Sequence, residues 1–384
     1  MLPIRTNIFH KARAARHNRV FVGMSGGVDS SVSAALLKRA GYNVTGVFIK
    51  VWQPDWIECN WREERLEAMR AAAHLDIPFV TLDLEREYKE GVIDYMIREY
   101  AAGRTPNPDV MCNREVKFGA FWKWAELQGA DYIATGHYAR NELGSDGSRH
   151  MRISKDLNKD QTYFLWTLTQ ADLKHVMFPV GHMTKDEVRA AAKKFELPNA
   201  EKKDSQGLCF IGKVDVKEFL QHYISPKPGI VLNEAGKEIG THPGALLFTI
   251  GERHGFTISG EAKTPHDAAY YVVSKNTEAN TITVSTKVVD PTKKAYNPPP
   301  SQSEVRSSAN LIRVSWTCEP LRTGDKIQAR SRYRETLQAA TITSIELGSG
   351  TATVSFDTFQ PTLTSGQSLV IYRDGECLGG GVIE

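Results

Sequence analysis

Up to about residue 220, short apolar runs alternate with longer stretches whose apolar residues recur at helical spacing. The runs Val20–Gly23, Val44–Ile49, Phe79–Leu82 and Tyr132–Thr135 have the length and composition of buried strands. Between them, Ser30–Ala40 (closed by Gly41), Trp61–Leu75 and Tyr88–Ala102 read as helices. This alternation predicts an α/β fold with a doubly wound parallel sheet, whose ligand sits at the carboxyl ends of the strands. Gly23–Ser30 follows the first strand and Gly136-His137 follows the fourth, so both are expected at one sheet edge.

The rhythm changes at Ser225-Pro226-Lys227-Pro228-Gly229. Beyond it the segments are short and β-rich, such as Ala269–Ser274 and Thr281–Ser285, until Pro298-Pro299-Pro300, which reads as a linker. Lys326–Arg330, Ala340–Thr343, Ala352–Phe356 and Ser368–Tyr372 then alternate in the β manner and predict a small barrel. The expected division is a basic arm (1–18), an α/β domain (19–223), a small central domain (224–300) and a C-terminal β-barrel (301–384).

Composition narrows the class. The chain has 384 residues, 41% hydrophobic and 24% charged, within the range of a globular protein, and no apolar run approaches the ~20 residues of a membrane span. A net charge of +3 permits a nucleic-acid partner without demanding one. The five cysteines (Cys59, Cys112, Cys209, Cys318, Cys377) are widely spread, which suits neither a disulfide framework nor a zinc site. A reducing compartment fits, and the cytoplasm is expected. Residues 1–19 hold Arg5, Lys11, Arg13, Arg16 and Arg19 and no acidic residue, which reads as a basic arm, with a presequence for the mitochondrial matrix as the alternative.

Chemistry concentrates first in Gly23-Met24-Ser25-Gly26-Gly27-Val28-Asp29-Ser30. It has neither the Gly-Lys-Ser/Thr of a Walker loop nor a Gly-x-Gly-x-x-Gly. Its glycines let backbone amides approach an anion, Ser30 can donate to phosphate, and the helix that follows adds partial positive charge. Asp29 faces phosphate only through a cation, for which Mg²⁺ is the natural choice. The loop resembles the pyrophosphate loop of the N-type ATP pyrophosphatases. That resemblance implies that ATP is cleaved between its α and β phosphates, that a carbonyl or carboxylate oxygen is adenylated, and that ammonia, an amine or sulfur expels AMP.

Two cysteines sit in polar loops. Cys112 ends Gly103-Arg104-Thr105-Pro106-Asn107-Pro108-Asp109-Val110-Met111-Cys112, whose prolines hold it extended. It is expected at the start of a helix through Val116, Phe118, Phe121 and Trp124, where a thiol pKa falls. Asp109 is placed to move a proton, with Arg104 and Arg114 as nearby positive charge. Cys209 follows Lys202-Lys203-Asp204-Ser205-Gln206-Gly207-Leu208. Two reactive thiols beside an adenylating loop point to sulfur, one carrying a persulfide and the other resolving it. Cys59, Cys318 and Cys377 read as buried small hydrophobes.

In order, Gly23–Ser30, Gly103–Asp109 with Cys112, Ala134-Thr135-Gly136-His137-Tyr138, Asn158-Lys159-Asp160-Gln161-Thr162-Tyr163, Lys202–Gly212, Arg332-Tyr333-Arg334 and Cys377–Gly381 run through the chain. From Arg19 to Glu384 this order closely resembles the tRNA-specific 2-thiouridylases, of bacterial and mitochondrial type. The resemblance implies that Gly23–Ser30, Ile49 and Gly136 hold ATP, and that Asn107, Pro108 and Asp109 surround the target uridine. It makes Cys112 the nucleophile and Cys209 the persulfide carrier, and has His137, Lys159, Asp160, Gln161, Arg332, Tyr333 and Gln367 contact tRNA. It further implies the lysine, glutamate and glutamine tRNAs as substrates and an upstream cysteine desulfurase or sulfur-relay protein. Glu252 and Gln206 depart from the family's usual Gln and Thr. An iron–sulfur cluster on Asp109, Cys112 and Cys209 is the alternative sulfur carrier. An amide-forming pyrophosphatase and a non-catalytic tRNA-binding protein with a vestigial loop are the readings from other classes.

Overall fold

The computed structural model describes residues 18–57, 61–203, 216–259, 269–286, 307–358, 360 and 363–384. Cys59, Cys209, the arm up to residue 17 and the Pro298–Pro300 linker lie outside the described residues.

The first domain is built on β1 (Arg19–Gly23), β2 (Asn43–Lys50), β3 (Phe79–Asp83) and β4 (Tyr132–Ala134). The hairpin β5 (Arg140–Leu143) and β6 (Arg149–Arg152) follows, then the two-residue strand β7 (Val176–Met177). The sheet order is β3-β2-β1-β4-β7 with every neighbouring pair parallel. The chain winds outward from β1 to β3, then returns to the other side of β1 for β4, so a switch point opens between the carboxyl ends of β1 and β4. The period of two in β1 is used fully. Val20 and Val22 pack with helix α1 (Val28–Arg39) and with Ala68, Ala71 and Ala72 of α2 (Trp61–His74), while Phe21 packs with Phe121 and Ile133 on the other face.

The second sheet contains β8 (Gly229–Leu232), β9 (Glu238–His242), β10 (Thr257–Ile258), β11 (Tyr271–Asn276) and β12 (Thr281–Ser285), ordered β10-β9-β8-β12-β11. The third comprises β13 (Ser308–Trp316), β14 (Lys326–Arg330), β15 (Gln338–Glu346), β16 (Thr351–Phe356), β17 (Ser368–Arg373) and β18 (Glu376–Ile383). It runs β13-β16-β15-β14-β17-β18, and pairing of β13 with β18 closes the barrel.

Two features were not expected from the pattern. The hairpin β5–β6 joins the barrel sheet, with Arg152 opposite Glu376 on β18 and His150 Nδ1 2.7 Å from Glu376 Oε1. The helical stretches 85–101 and 108–127 each contain a π-helical segment, Lys89–Ile93 and Cys112–Ala120. These segments pack together: a Cβ on Gly91 would lie 2.9 Å from that of Glu115.

Of three apolar clusters among the described residues, one lies in the first domain, one in the barrel, and the largest crosses the domain boundaries. This largest cluster runs from Phe21, Phe121 and Ile133 through Tyr163 and Trp166 to Leu247 and Phe248 of the second sheet and to Val370 and Tyr372 of the barrel. The three-domain architecture is therefore held as one packed unit, and residues far apart in sequence meet at its seams.

Candidate active site

The loop after β1 is shaped by close backbone approaches. Gly26 has φ +76°, and a Cβ there would lie 2.5 Å from the Glu64 carbonyl oxygen. Asn199 Nδ2 donates to Gly26 O (2.9 Å) and to Ser31 Oγ (2.9 Å), fixing the loop from below. Ser25 N donates to Ser30 Oγ at 3.4 Å, and Ser30 Oγ donates to Gly27 O at 3.0 Å. The side chains of Met24 and Val28 are buried in the core, so these residues offer a ligand only their backbone. Gly23 ends β1, and Ile49, near the end of β2, packs against the larger cluster. Gly136, after β4, meets this loop as expected: a Cβ there would lie 2.7 Å from Ser30 N. The switch point thus has the geometry to hold an anion, with a helix N-terminus and closely packed backbone.

Asp29, the second residue of α1, is engaged by two groups. Tyr138 donates its hydroxyl to Asp29 Oδ1 at 2.8 Å, and Lys185 Nζ lies 2.7 Å from Oδ1 and 2.9 Å from Oδ2. Among the described residues no group of three or more metal-ligating side chains forms. Mg²⁺ bound with a nucleotide needs only one or two carboxylates beside phosphate oxygens and water, so Asp29 fits that use. The roles of Tyr138 and Lys185 were not read from the sequence. One signal was available for Lys185: Thr184-Lys185-Asp186-Glu187 is a capping-box pattern, and the box forms.

The thiol loop enters a helix at Asn107, whose Oδ1 accepts from Val110 N at 3.3 Å, with Pro108 at the first helical position. The helix proceeds as Pro108–Met111, the π-helical Cys112–Ala120, and Phe121–Leu127. Cys112 is therefore one turn inside the helix, not at its start, and it is 3% exposed within the apolar cluster. The helix-terminal field that the sequence suggested for its thiol fades within the first turn. The arginines expected to supply positive charge are engaged elsewhere. Arg104 Nε lies 2.5 Å from Glu99 Oε2 and holds that carboxyl below its usual range, and Arg114 pairs with Glu115 at 3.3 Å.

Burial raises the Asp109 carboxyl above its usual range, against a smaller lowering by Lys117. Burial and Lys117 together keep the His137 imidazole well below its usual range, hence neutral. His137 Nδ1 lies 2.7 Å from Thr135 Oγ1, and its ring sits 5.7 Å from that of Phe118. A carboxyl raised on folding costs stability above both its pKa values, and this cost disappears as pH falls through the folded and then the unfolded value. Asp109→Asn is accordingly expected to melt higher than wild type at pH 7, with the gap closing towards pH 3, in thermal unfolding scans across pH. A variant that melts lower at pH 7 would remove this picture of Asp109.

The barrel completes the site. Gln367 Nε2 donates to Thr105 O at 2.8 Å, and Thr105 N donates to Ser365 O at 2.9 Å, so a barrel loop is stitched to the thiol loop. Beside this seam lies a cleft of ≈ 370 Å³ walled by Thr105, Pro106, Pro108, Thr249, Arg332 and Gln367. Arg332-Tyr333-Arg334 lies in the turn after β14, with Arg334 at φ +64°. There Arg332 Nη2 donates to Ile250 O at 2.5 Å, Arg334 Nε donates to Asn158 O at 3.1 Å, and the Tyr333 ring sits 4.8 Å from that of Phe164.

The segment 158–161 is brought to the same seam, but its residues differ in exposure. Asp160 is 3% exposed, paired with Arg330 at 2.6 Å and accepting from Thr162 Oγ1 at 2.8 Å. It joins the first domain to the barrel from inside. Gln161 Oε1 accepts from Tyr138 N at 2.8 Å, and Lys159 between Asn158 and Asp160 is partly exposed. Cys377 is fully buried and its thiol pushed well up by burial, and burial pushes Cys318 up to about 11, as suits inert cysteines.

Residues 18–213 match the tRNA methyl transferase HUP domain family, 217–286 the tRNA methyl transferase PRC-barrel domain family, and 306–383 the Aminomethyltransferase beta-barrel domain family. The chain is 42% identical over 369 residues to the tRNA-specific 2-thiouridylase MnmA of Streptococcus sanguinis, covering 95% of each chain. It is 43% identical over 382 residues to the tRNA-specific 2-thiouridylase MnmA 2 of Geobacillus kaustophilus, covering 97% of this chain and 96% of that one. The tRNA-specific 2-thiouridylase MnmA of Francisella tularensis subsp. holarctica is 41% identical over 371 residues, covering 96% and 99%. Among the described residues, no helix is long and apolar enough to cross a membrane.

Proposed function

The chain belongs to the tRNA-specific 2-thiouridylase family, and from that premise we propose that it replaces the C2 oxygen of the wobble uridine of tRNA by sulfur at the expense of ATP. The observation that carries this reading is the seam itself. The cleft beside Gln367 and Arg332 is bounded by the loop that leads directly into the helix bearing Asp109 and Cys112. A wobble base lies in a single-stranded loop and reaches such a cleft only when splayed out. Arg332 in the cleft wall, with Arg334 and Lys159 of the neighbouring turn and segment, supplies positive charge for the RNA backbone, and Tyr333 supplies a ring.

ATP lies on the Gly23–Ser30 loop with its phosphates at the N-terminus of α1 and Gly136 opposite. Mg²⁺, held by Asp29 with the phosphates, would neutralise charge on the nucleotide. The uridine C2 oxygen attacks the α-phosphorus, and the bond to the bridging oxygen breaks with its electron pair leaving on pyrophosphate. Cys209 carries the sulfur as a persulfide. The Cys112 thiolate attacks its inner sulfur, a Cys112–Cys209 disulfide forms, and the outer sulfur leaves as hydrosulfide. Hydrosulfide adds to C2, AMP departs, and a thiol reductant restores both cysteines. Direct attack of the terminal persulfide sulfur on C2 is the other order of these events. Asp109, its carboxyl raised by burial, serves as acid and base. The substrates are the lysine, glutamate and glutamine tRNAs, and a cysteine desulfurase, directly or through a relay protein, recharges Cys209.

The nucleotide products test this reading. With unmodified tRNA, ATP should yield AMP and pyrophosphate in equal amounts, and omission of tRNA should suppress both. ADP and phosphate as the products would overturn it.

A further inference from the structure

The Gly23–Ser30 loop contains no lysine or arginine, yet a polyphosphate carries several negative charges beside a single developing bond break. The structure brings a cation from elsewhere. Lys185 reaches across the switch point and places its ammonium 2.7 and 2.9 Å from the two carboxylate oxygens of Asp29, with its side chain only 14% exposed.

The electrostatics of this position are unusual for a structural ion pair. Lys185 is the first residue of the helix Lys185–Lys194, and its side chain points to the first turn of α1. A lysine at a helix N-terminus has the unfavourable sign, and here the same ammonium lies near two such ends. Asp186 and Glu187 in its own first turn are exposed, and Glu187 is occupied by Thr184 and by Lys155 at 2.6 Å. The start of that helix is met by Asp156 and Glu187, which leaves two sources of positive potential, the N-terminus of α1 and the Lys185 ammonium, at the Asp29 carboxylate, which also accepts from Tyr138. Such a place is built for more negative charge than one aspartate brings.

Its placement is also rigid. The capping box at Thr184 fixes the start of the helix, and Lys185 N donates to Asp156 Oδ2 at 2.9 Å. The flexible four-carbon stem can move the ammonium a few ångströms without moving this backbone.

We infer that Lys185 is a phosphate ligand of the ATP site, resting on Asp29 in the nucleotide-free chain and turning to the pyrophosphate moiety when ATP is bound. There it neutralises the charge that accumulates on the leaving pyrophosphate as the α-phosphorus bond breaks, and no proton is transferred. The inference rests on the ATP reading above.

The test is equilibrium binding, without turnover. Wild type, Lys185→Met and Lys185→Arg are titrated calorimetrically with ATP, with inorganic pyrophosphate and with adenosine. Lys185→Met is expected to weaken ATP and pyrophosphate by roughly 10- to 100-fold, the scale of one lost charge-assisted hydrogen bond. Adenosine should bind it as it binds wild type, which also shows that the variant is folded. Lys185→Arg should keep most of the affinity. Unchanged ATP and pyrophosphate affinity in Lys185→Met, or an equal loss for adenosine, would overturn the assignment. A wild-type protein that binds neither ATP nor pyrophosphate overturns the ATP reading itself.

Discussion

Cys112→Ala is expected to lower the rate of 2-thiouridine formation by roughly 10³-fold or more, the usual scale for loss of a nucleophile, while tRNA-dependent pyrophosphate release continues. The reason is the division of labour in the site. Adenylation uses the Gly23–Ser30 loop and its surroundings at the switch point, whereas Cys112 lies in the helix that follows the thiol loop. Alanine is the informative replacement because Cys112 sits in the apolar cluster. Serine there would bury a hydroxyl, at about 1–3 kcal/mol if it found no partner, and would mix a folding defect into the result. Single-turnover thiolation and pyrophosphate release, measured on the same sample, separate the two steps. Thiolation at the wild-type rate would remove Cys112 from the mechanism.

The second large effect is on stability. Arg330→Met should destabilise the protein by about 3–5 kcal/mol, because it leaves the Asp160 carboxylate buried without its cation. The two side chains are 9% and 3% exposed, and Arg330 also donates to the Tyr372 hydroxyl at 2.8 Å. Adding Asp160→Asn to that variant should recover a large part of the loss, since no unpaired charge then remains. Urea unfolding midpoints of wild type, the single variant and the pair measure this. A single variant within 1 kcal/mol of wild type would contradict a pair that clamps the barrel to the first domain.

The contrast between Asp160 and its neighbours shows what could be read from the chain and what could not. β1, α1 and the loop between them were legible because their signal is local: a buried apolar run, a Gly-rich turn and a helix pattern in succession. The sheet edge that collects Gly26 and Gly136 followed from the strand–helix alternation. Asp160 belongs to a motif of expected RNA contacts, but its carboxylate is turned inward to an arginine 170 residues away, and no local pattern encodes such a partner. The hairpin β5–β6 was missed because Arg140–Leu143 and Arg149–Arg152 are mostly polar. It is held by β18, by the His150–Glu376 contact and by one buried apolar side chain, Met151.

The same limit applies within the site. Cys112 was expected at a helix start, but Asn107 and Pro108 begin the helix earlier, and cap chemistry rather than the cysteine sets the boundary. Gly91 and Gly119 lie in the π-helical segments, and a Cβ on Gly119 would lie 2.6 Å from the Arg114 carbonyl oxygen. Their spacing alone does not reveal a π-helix. Lys185 sits in a readable capping box, yet only the folded chain shows that its side chain crosses to Asp29.

Nucleoside mass spectrometry of unmodified lysine tRNA tests the central claim most directly. The tRNA is incubated with Mg-ATP, a persulfide donor and either wild type or Cys209→Ser. The expected result is 2-thiouridine at the wobble position with wild type and none with the variant. Equal 2-thiouridine from both would contradict Cys209 as the persulfide carrier, and its absence from both, with ATP still cleaved to AMP, would contradict thiolation of this base.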